Sequence, residues 1–460
     1  MSKKHKQQHK RQQRRHQQKL QQLHKQQQPE LQRQPELQRQ PELQQQQLSS
    51  ANISAVVAAQ QCTGCSACVA MCPDHALSMQ PNTEGFLEPV IDEAKCTHCG
   101  QCYQQCPVLK RQVAQAKLAQ TAQTARAQGL TAQGTQQRNT EHAGCAQRYF
   151  ALSLKPDFKA LYGSSTTGIG FVLAHRFIRA GGVVVGCRFN AQTQEAEHVI
   201  ARTVEEVVQF CGSKYVQSNK HEVLAQTLDL LKQGHKVLFI GTPCEVSGVT
   251  ALCSAQPAEV KERLFTADLV CHGVPSPLSL KCYLYDAAAE LGAIKGINFR
   301  VPHPQTKNWT QPLVVVQGEA KHLVQPAAQN HFYVAYSQSW SLRPSCYHCS
   351  YTNLNRPADL SLGDFWGIEQ LVPKFPYALR GTSLIVVNSP QGVQLFNLLR
   401  NHIRYGHEVS AATVLQSNDA LHDSAHEPIA RQLFFTTLQQ QQSTVAAVNA
   451  VLSTRQATPS

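Results

Sequence analysis

The sequence predicts an α+β and α/β architecture: a small cysteine-rich domain followed by a larger mixed α/β domain. Three observations predict it. Eight of the 17 cysteines lie between Cys62 and Cys106, a crowding that points to metal. Beyond Arg148, short apolar runs alternate with helical periods, the pattern of a mixed or α/β domain. The first fifty residues hold 19 Gln and only 7 apolar residues, so the slight apolar deficit of the chain (42%) belongs to a tail. At 460 residues the length allows about three domains.

In chain order, residues 1–50 read as a disordered, basic, Gln-rich tail. They carry 11 Lys/Arg against 3 Glu, which is +8 of the total +13. The hexad from Pro29 returns at Pro35 and Pro41, each Pro interrupts a helix, and no apolar stripe exists to bury. A basic tail can bind phosphate non-specifically, but base-reading and stacking residues are missing, so a specific nucleic-acid partner is not expected. Residues 51–110 form the cysteine-rich domain. Residues 111–147, rich in Ala, Gln and Thr, read as a linker. The large domain spans 148–440, and 441–460 read as a flexible C-terminus.

Within the large domain, strands are expected at Tyr149–Leu154, Val183–Phe189, Val237–Ile240, Leu264–Val270, Ile294–Phe299, Leu313–Val316, Asp359–Leu362 and Ser383–Val387. Helices are expected at Gly168–Arg179, His221–Lys232, Leu278–Glu290, Gly392–His402 and Ile429–Leu438, with a further one after the turn at Gly241. An odd cysteine count cannot pair completely, which argues for a reducing compartment. No signal-peptide pattern and no apolar run of about 18 residues occurs. The expectation is a soluble, cytoplasmic protein without a membrane span.

The strongest motif is Cys62-x-x-Cys65-x-x-Cys68-x-x-x-Cys72-Pro73, repeated as Cys96-x-x-Cys99-x-x-Cys102-x-x-x-Cys106-Pro107. This is the bacterial ferredoxin run given twice, in which three near thiolates hold one 4Fe–4S cube and the fourth reaches the other. The implied sets are crossed: Cys62, Cys65 and Cys68 with Cys106, and Cys96, Cys99 and Cys102 with Cys72. Zinc is the competing metal, but its four-cysteine sites favour two separated C-x-x-C pairs.

The large domain offers weaker signals. Strand Val237–Ile240 runs into Gly241-Thr242-Pro243-Cys244-Glu245 and a helix start, which presents unpaired N–H groups to a ligand such as phosphate. Ser164-Ser165-Thr166-Thr167-Gly168 precedes an amphipathic helix and serves equally as a cap or a phosphate contact. Gly212-Ser213-Lys214-Tyr215 adds a cation and a ring beside a turn, where a snorkelling Lys and a core Tyr are the plainer readings. Cys244, Cys271 and the pair Cys346-x-x-Cys349 stand at turns and total four, enough for a third cluster or a zinc site. Cys145, Cys187, Cys211, Cys253 and Cys282 lack partners and read as packing residues.

Taken in order, the ferredoxin runs, Gly212-Ser213-Lys214-Tyr215, Gly241-Thr242-Pro243-Cys244, Asp268-Leu269-Val270-Cys271-His272-Gly273, Leu342-Arg343-Pro344-Ser345-Cys346-Tyr347-His348-Cys349 and Gly363-Asp364-Phe365-Trp366-Gly367 resemble the coenzyme F420 hydrogenase/dehydrogenase beta-subunit family, from about Cys62 to at least Val387. The resemblance implies a bacterial-ferredoxin-like domain joined to a mixed α/β flavin-binding domain, with FAD and a neighbouring 4Fe–4S cluster. FAD contacts are then expected from Ser164, Ser165, Thr166, Gly168, Ser213, Lys214, Tyr215, Thr242 and Pro243. Lys214 is the candidate for the flavin phosphate or reduced ring, and His272 for a proton or a cluster-side hydrogen bond. Two departures touch the ligand rim: Glu245 stands where many members have Gln, and Ser164-Ser165-Thr166-Thr167-Gly168 where many have Ser-Gly-Gly.

The implied function is an iron–sulfur flavoprotein oxidoreductase. A small substrate such as a deazaflavin delivers hydride, the clusters carry single electrons, and a flavin can exchange with both. The expected partners are an electron-donor or acceptor protein or redox subunit and the small hydride carrier. Two alternatives predict otherwise: an electron-relay subunit with no substrate pocket, and an RNA-binding metalloprotein led by the tail.

Overall fold

The computed structural model describes residues 52–127, 146–155, 168–220, 222–303, 311–376 and 381–457. Ile53–Thr97 and Gln101–Ser460 belong to one compact unit; Asn52 and His98–Gly100 fall outside it. The expected tail, residues 128–145 of the linker (Cys145 among them), Ser164, Ser165 and Thr166 lie outside the described residues.

The strands are Leu77–Pro81 (β1), Leu87–Ile91 (β2), Arg148–Leu154 (β3), Val183–Asn190 (β4), Glu195–Ala201 (β5), Ser218–Asn219 (β6), Val237–Gly241 (β7), Leu264–Leu269 (β8), Ile294–Val301 (β9), Leu313–Gly318 (β10), His322–Pro326 (β11), Leu360–Asp364 (β12), Ser383–Val387 (β13) and Ile403–Val409 (β14). The described helices of ten residues or more are Pro107–Ala127 (α1), Ile169–Arg179 (α2), Val223–Lys232 (α3), Pro243–Cys253 (α4), Pro277–Leu291 (α5), Pro390–Leu399 (α6), Ala430–Gln441 (α7) and Thr444–Ala457 (α8).

A nine-stranded mixed sheet in the order β14-β3-β13-β12-β8-β7-β4-β5-β6 carries the large domain. Its centre, β12-β8-β7-β4, is parallel, so both faces must be covered by helices. The residues obey that demand. On β7, Leu238 turns to a cluster with Leu173 and Phe177 of α2 and Leu395 and Phe396 of α6. Val237 and Phe239 turn to the other face, against Val223 and Leu231 of α3 and Val246 and Val249 of α4. All of β7 from Val237 to Phe239 is fully buried, as a continuous apolar run in a parallel strand should be. A separate antiparallel sheet, β11-β10-β9, packs its Ile297, Phe299, Val314 and Val316 with α5.

Helix starts follow from local chemistry. Pro277 begins α5 where a missing N–H costs nothing, and the Ser276 hydroxyl accepts from the Ser279 N–H at 3.2 Å. Gly292, at φ +73°, ends it.

The eight expected strands are present, and the five expected helices differ only at their ends. Two expected boundaries do not hold. Helix α1 runs through residue 110 into the supposed linker, because Arg111 is buried and anchored: its Nε donates to the Ser350 carbonyl at 2.9 Å and its guanidinium lies 4.4 Å from the Tyr351 ring centre. The supposed flexible C-terminus forms α8, whose Ala447, Val448 and Val451 are buried with Phe434 and Leu438 of α7.

The cysteine-rich segment is likewise joined to the large domain rather than tethered to it. Gln217 makes a two-way amide pair with the Leu87 backbone (2.8 and 3.1 Å). Arg431 forks onto Glu84, and Ser276 Oγ donates to the Glu84 carbonyl at 2.5 Å. Ser345 Oγ donates to the Cys62 carbonyl at 3.0 Å.

Candidate redox centre

In two groups of four cysteines the thiols lie near enough to influence one another. Cys62, Cys65, Cys68 and Cys106 line one small cavity and are all buried. Burial pushes the Cys62 thiol up to about 12 and the Cys106 thiol to about 11, and their neighbouring thiols push further. Four crowded thiols that resist ionisation are a poor packing solution, and a set of iron cations reverses that cost. The Gly64 N–H points at Cys62 Sγ at 3.4 Å, an arrangement suited to a bound thiolate. Gly64 itself sits at φ +64°, a left-handed turn that suits glycine. Among the second run, Cys72, Cys96 and Cys102 are partly exposed and Cys99 is exposed. The Ala76 N–H reaches Cys72 Sγ at 3.3 Å.

The second group joins residues about a hundred positions apart. Cys244 stands in the first turn of α4 and Cys271 just beyond β8, while Cys346 lies within a short 3₁₀ turn and Cys349 directly follows it. Burial raises all four thiols, and Cys244 and Cys271 are each raised further by Cys346 and Cys349. Thr242 Oγ1 lies 3.2 Å from Cys244 Sγ, so that hydroxyl is engaged with sulfur. Among the described residues no three His, Cys, Asp or Glu side chains converge on one metal-ion position.

Beside the second group, a cavity of about 450 Å3 opens at the carboxyl ends of the parallel strands, the position where open α/β sheets bind ligands. Ser213, Lys214, Tyr215, Thr242, Cys271 and His272 line it; Gly168 and Pro243 do not. Gly168 (φ +73°) starts α2 and Pro243 is the first residue of α4, so both act on helix geometry. Lys214 is turned aside: its Nζ donates to the carbonyls of Cys211 (2.8 Å) and Gln209 (3.1 Å), and burial holds its pKa below the usual value. His272 pairs with Ser339 Oγ at 3.1 Å and meets the Tyr336 ring edge-on at 5.6 Å, while burial lowers its pKa and favours the neutral ring. Of the five cysteines outside the ferredoxin runs and the second group, Cys187 and Cys211 line the cavity.

Sequence reasoning passed over several residues here. Arg300 pairs with Asp364 and stacks 5.0 Å from the half-exposed Trp366, and Tyr215 stacks on Tyr336 at 4.6 Å. Asp364 and Trp366 stood in a recognisable motif, but their partner Arg300 carries no local signal. Lys220 and His198 were also missed. Lys220, 2% exposed, lies 2.7 Å from Glu245 Oε1, and His198 lies 3.9 Å from Oε2.

That buried pair explains the unusual Glu. Burial alone would raise the Glu245 pKa, but Lys220, His198 and the Thr242 N–H (2.8 Å) outweigh it and hold the carboxyl at about 2. A carboxylate depressed in the folded state stabilises above its unfolded value of about 4.3, and that contribution is lost as pH falls toward 2. Glu245→Gln, the residue commoner in the resembling family, leaves Lys220 buried without its counter-charge. It should destabilise the protein by about 3 kcal/mol or more at neutral pH, read as a lowered denaturation midpoint. A midpoint equal to that of the parent would remove the pair from the stability of this wall.

Comparison with known proteins agrees with these parts. Residues 61–109 and 88–148 match two patterns, each described as a 4Fe-4S dicluster domain, so the chain is an iron–sulfur electron-transfer protein. Residues 234–408 match the family pattern described as the C terminus of the coenzyme F420 hydrogenase/dehydrogenase beta subunit. The chain thus carries a segment similar to the C terminus of that beta subunit, with a 4Fe–4S dicluster segment on its N-terminal side. No curated protein matches it. Among solved structures, a chain of the F420-reducing [NiFe] hydrogenase complex from Methanosarcina barkeri aligns at 16% identity and a TM-score of 0.41, covering 69% of this chain and 93% of that one. Among the described residues no helix is long and apolar enough to cross a membrane.

Proposed function

We propose that the chain is an iron–sulfur flavoprotein oxidoreductase that binds FAD in the 450 Å3 cavity and a third 4Fe–4S cluster through Cys244, Cys271, Cys346 and Cys349. One observation carries the reading: Cys271 belongs both to the cysteine foursome and to the cavity wall. A redox ligand in the cavity is therefore adjacent to a cluster ligand. The ferredoxin sets are the crossed ones, with Cys62, Cys65, Cys68 and Cys106 forming the inner site.

When bound, FAD supplies exchange between hydride and single electrons. The chain's share is orientation and exclusion of water. Tyr215 and Tyr336 form an aromatic wall, Trp366 with Arg300 forms a half-exposed edge, and neutral His272, held by Ser339, is placed to hold a proton at its ring nitrogen. A relay protein without a substrate has no use for a ligand-sized cavity of this kind, which favours the enzyme reading. The donor is a deazaflavin or another small hydride carrier, and a redox protein or subunit exchanges electrons with the clusters.

The test is anaerobic purification of the full chain followed by cofactor extraction, with about one FAD per chain expected. Lys214→Ala should weaken FAD retention by about tenfold, a loss of roughly 1.4 kcal/mol, because Lys214 lines the cavity beside the Gly212 turn and its ammonium braces that turn through the Gln209 and Cys211 carbonyls. Unchanged occupancy and flavin potential would take Lys214 out of the site, and a chain purified with iron but no flavin would remove FAD.

A further inference from the structure

At the place where the two cysteine groups approach one another stands a buried cation that no carboxylate pairs with among the described residues. Arg343 is 1% exposed. Its Nη1 donates to the Cys62 carbonyl at 3.3 Å, and its guanidinium lies 5.1 Å from the Phe86 ring centre. Nε and Nη2 are buried and have no hydrogen-bond partner. An unpaired guanidinium in such a site is costly unless an anion meets it. The half-buried Glu88 feels its charge, and so do two thiols: Arg343 favours the thiolate of Cys62 in the first foursome and of Cys346 in the second.

The loop around Cys62 is shaped for this contact. A side chain on Gly64 would run into the Arg343 guanidinium, with Nη2 2.8 Å from the added carbon. The Cys346 N–H bonds the Arg343 carbonyl at 3.0 Å, so one residue is fixed at its backbone to the second foursome and at its side chain to the first.

We infer that Arg343 is a shared counter-charge for two iron–sulfur clusters, a positioning and tuning residue whose free N–H groups face anionic cluster sulfur. The inference rests on the proposed third cluster for one of its two partners and on the dicluster segment for the other. A cluster gains negative charge when it accepts an electron, so a fixed nearby cation favours the reduced form and raises the reduction potential.

The experiment is an anaerobic redox titration of the full-length protein, followed by cluster spectroscopy, for the parent, Arg343→Gln and Arg343→Lys, with iron and sulfide counted in each. In Arg343→Gln the equilibrium constant for reducing the inner ferredoxin cluster should fall by about tenfold or more, about 59 mV for one electron. The cluster assigned to Cys346 should shift the same way, the outer cluster should hold its potential, and Lys should restore most of the loss. A reduction equilibrium constant within about twofold of the parent's in fully loaded Arg343→Gln would overturn the inference. If Gln loses iron and Lys keeps it, the charge is required and the inference stands; loss from both variants assigns Arg343 to scaffolding and overturns it. Should the parent show only two clusters, the third-cluster reading fails, and the shift of the inner cluster still decides the role of Arg343.

Discussion

Replacing Cys346 and Cys349 together with Ser should remove about four of about twelve irons from the reconstituted full-length chain, and it should leave both ferredoxin clusters in place. The effect is large because a cube with two remaining thiolates, Cys244 and Cys271, has lost half of its protein ligands. The two foursomes also differ in what surrounds them. The first is built from the two ferredoxin runs beside the start of α1, whereas the second joins α4, the end of β8 and the 3₁₀ turn that holds Cys346. The variant should also break the path from the cavity, since Cys271 is the foursome member that lines it. A hydride donor would then bleach a flavin without reducing the ferredoxin clusters. Iron content unchanged by the double substitution would return these four residues to packing.

The largest expected effect on stability lies at Arg356 and Asp268. Their side chains are 1% and 0% exposed and 2.9 Å apart, and Arg356 also donates to the carbonyls of Tyr351 at 2.9 Å and Leu269 at 3.2 Å. The pair ties the end of β8, three residues before Cys271, to the segment that follows Cys349. Arg356→Leu should cost about 3–5 kcal/mol, because Asp268 is left charged in an apolar interior. Adding Asp268→Leu should recover part of that loss, since two apolar groups of similar volume carry no orphaned charge. Denaturation under anaerobic conditions reads both variants. A loss below about 1 kcal/mol for Arg356→Leu, or a double variant weaker than the single one, would contradict this account of the wall.

What was legible in the sequence follows from where the signals were local. The buried parallel strands β4, β7 and β8 announce themselves as runs such as Val237-Leu238-Phe239-Ile240, and the cysteine runs carry their chemistry in their spacing. Strands β11 and β14 were passed over because edges facing solvent lack an apolar pattern: Arg404, Tyr405, Gly406, His407 and Glu408 are all exposed. Helix α1 hid for a related reason. Its Ala/Gln/Thr composition has no apolar stripe, and the side chain that anchors it, Arg111, finds its partners at Ser350 and Asn355, some 240 positions away. The same distance concealed the site's charge logic. Glu245 could be read as an added negative charge, but nothing near it in the chain pointed to Lys220, and Arg343 stood inside a recognisable motif with no sign that its guanidinium reaches Cys62.

The central claim is that hydride entering at the cavity leaves as single electrons through the clusters. Rapid anaerobic mixing of the full-length, FAD-loaded and iron-loaded protein with a reduced deazaflavin, followed by freeze-quench spectroscopy of the clusters, tests it most directly. The flavin absorbance should bleach first, and reduced 4Fe–4S signals should follow within the same turnover. Clusters that dithionite reduces but the hydride donor leaves oxidised, with the flavin absorbance unchanged, would contradict it.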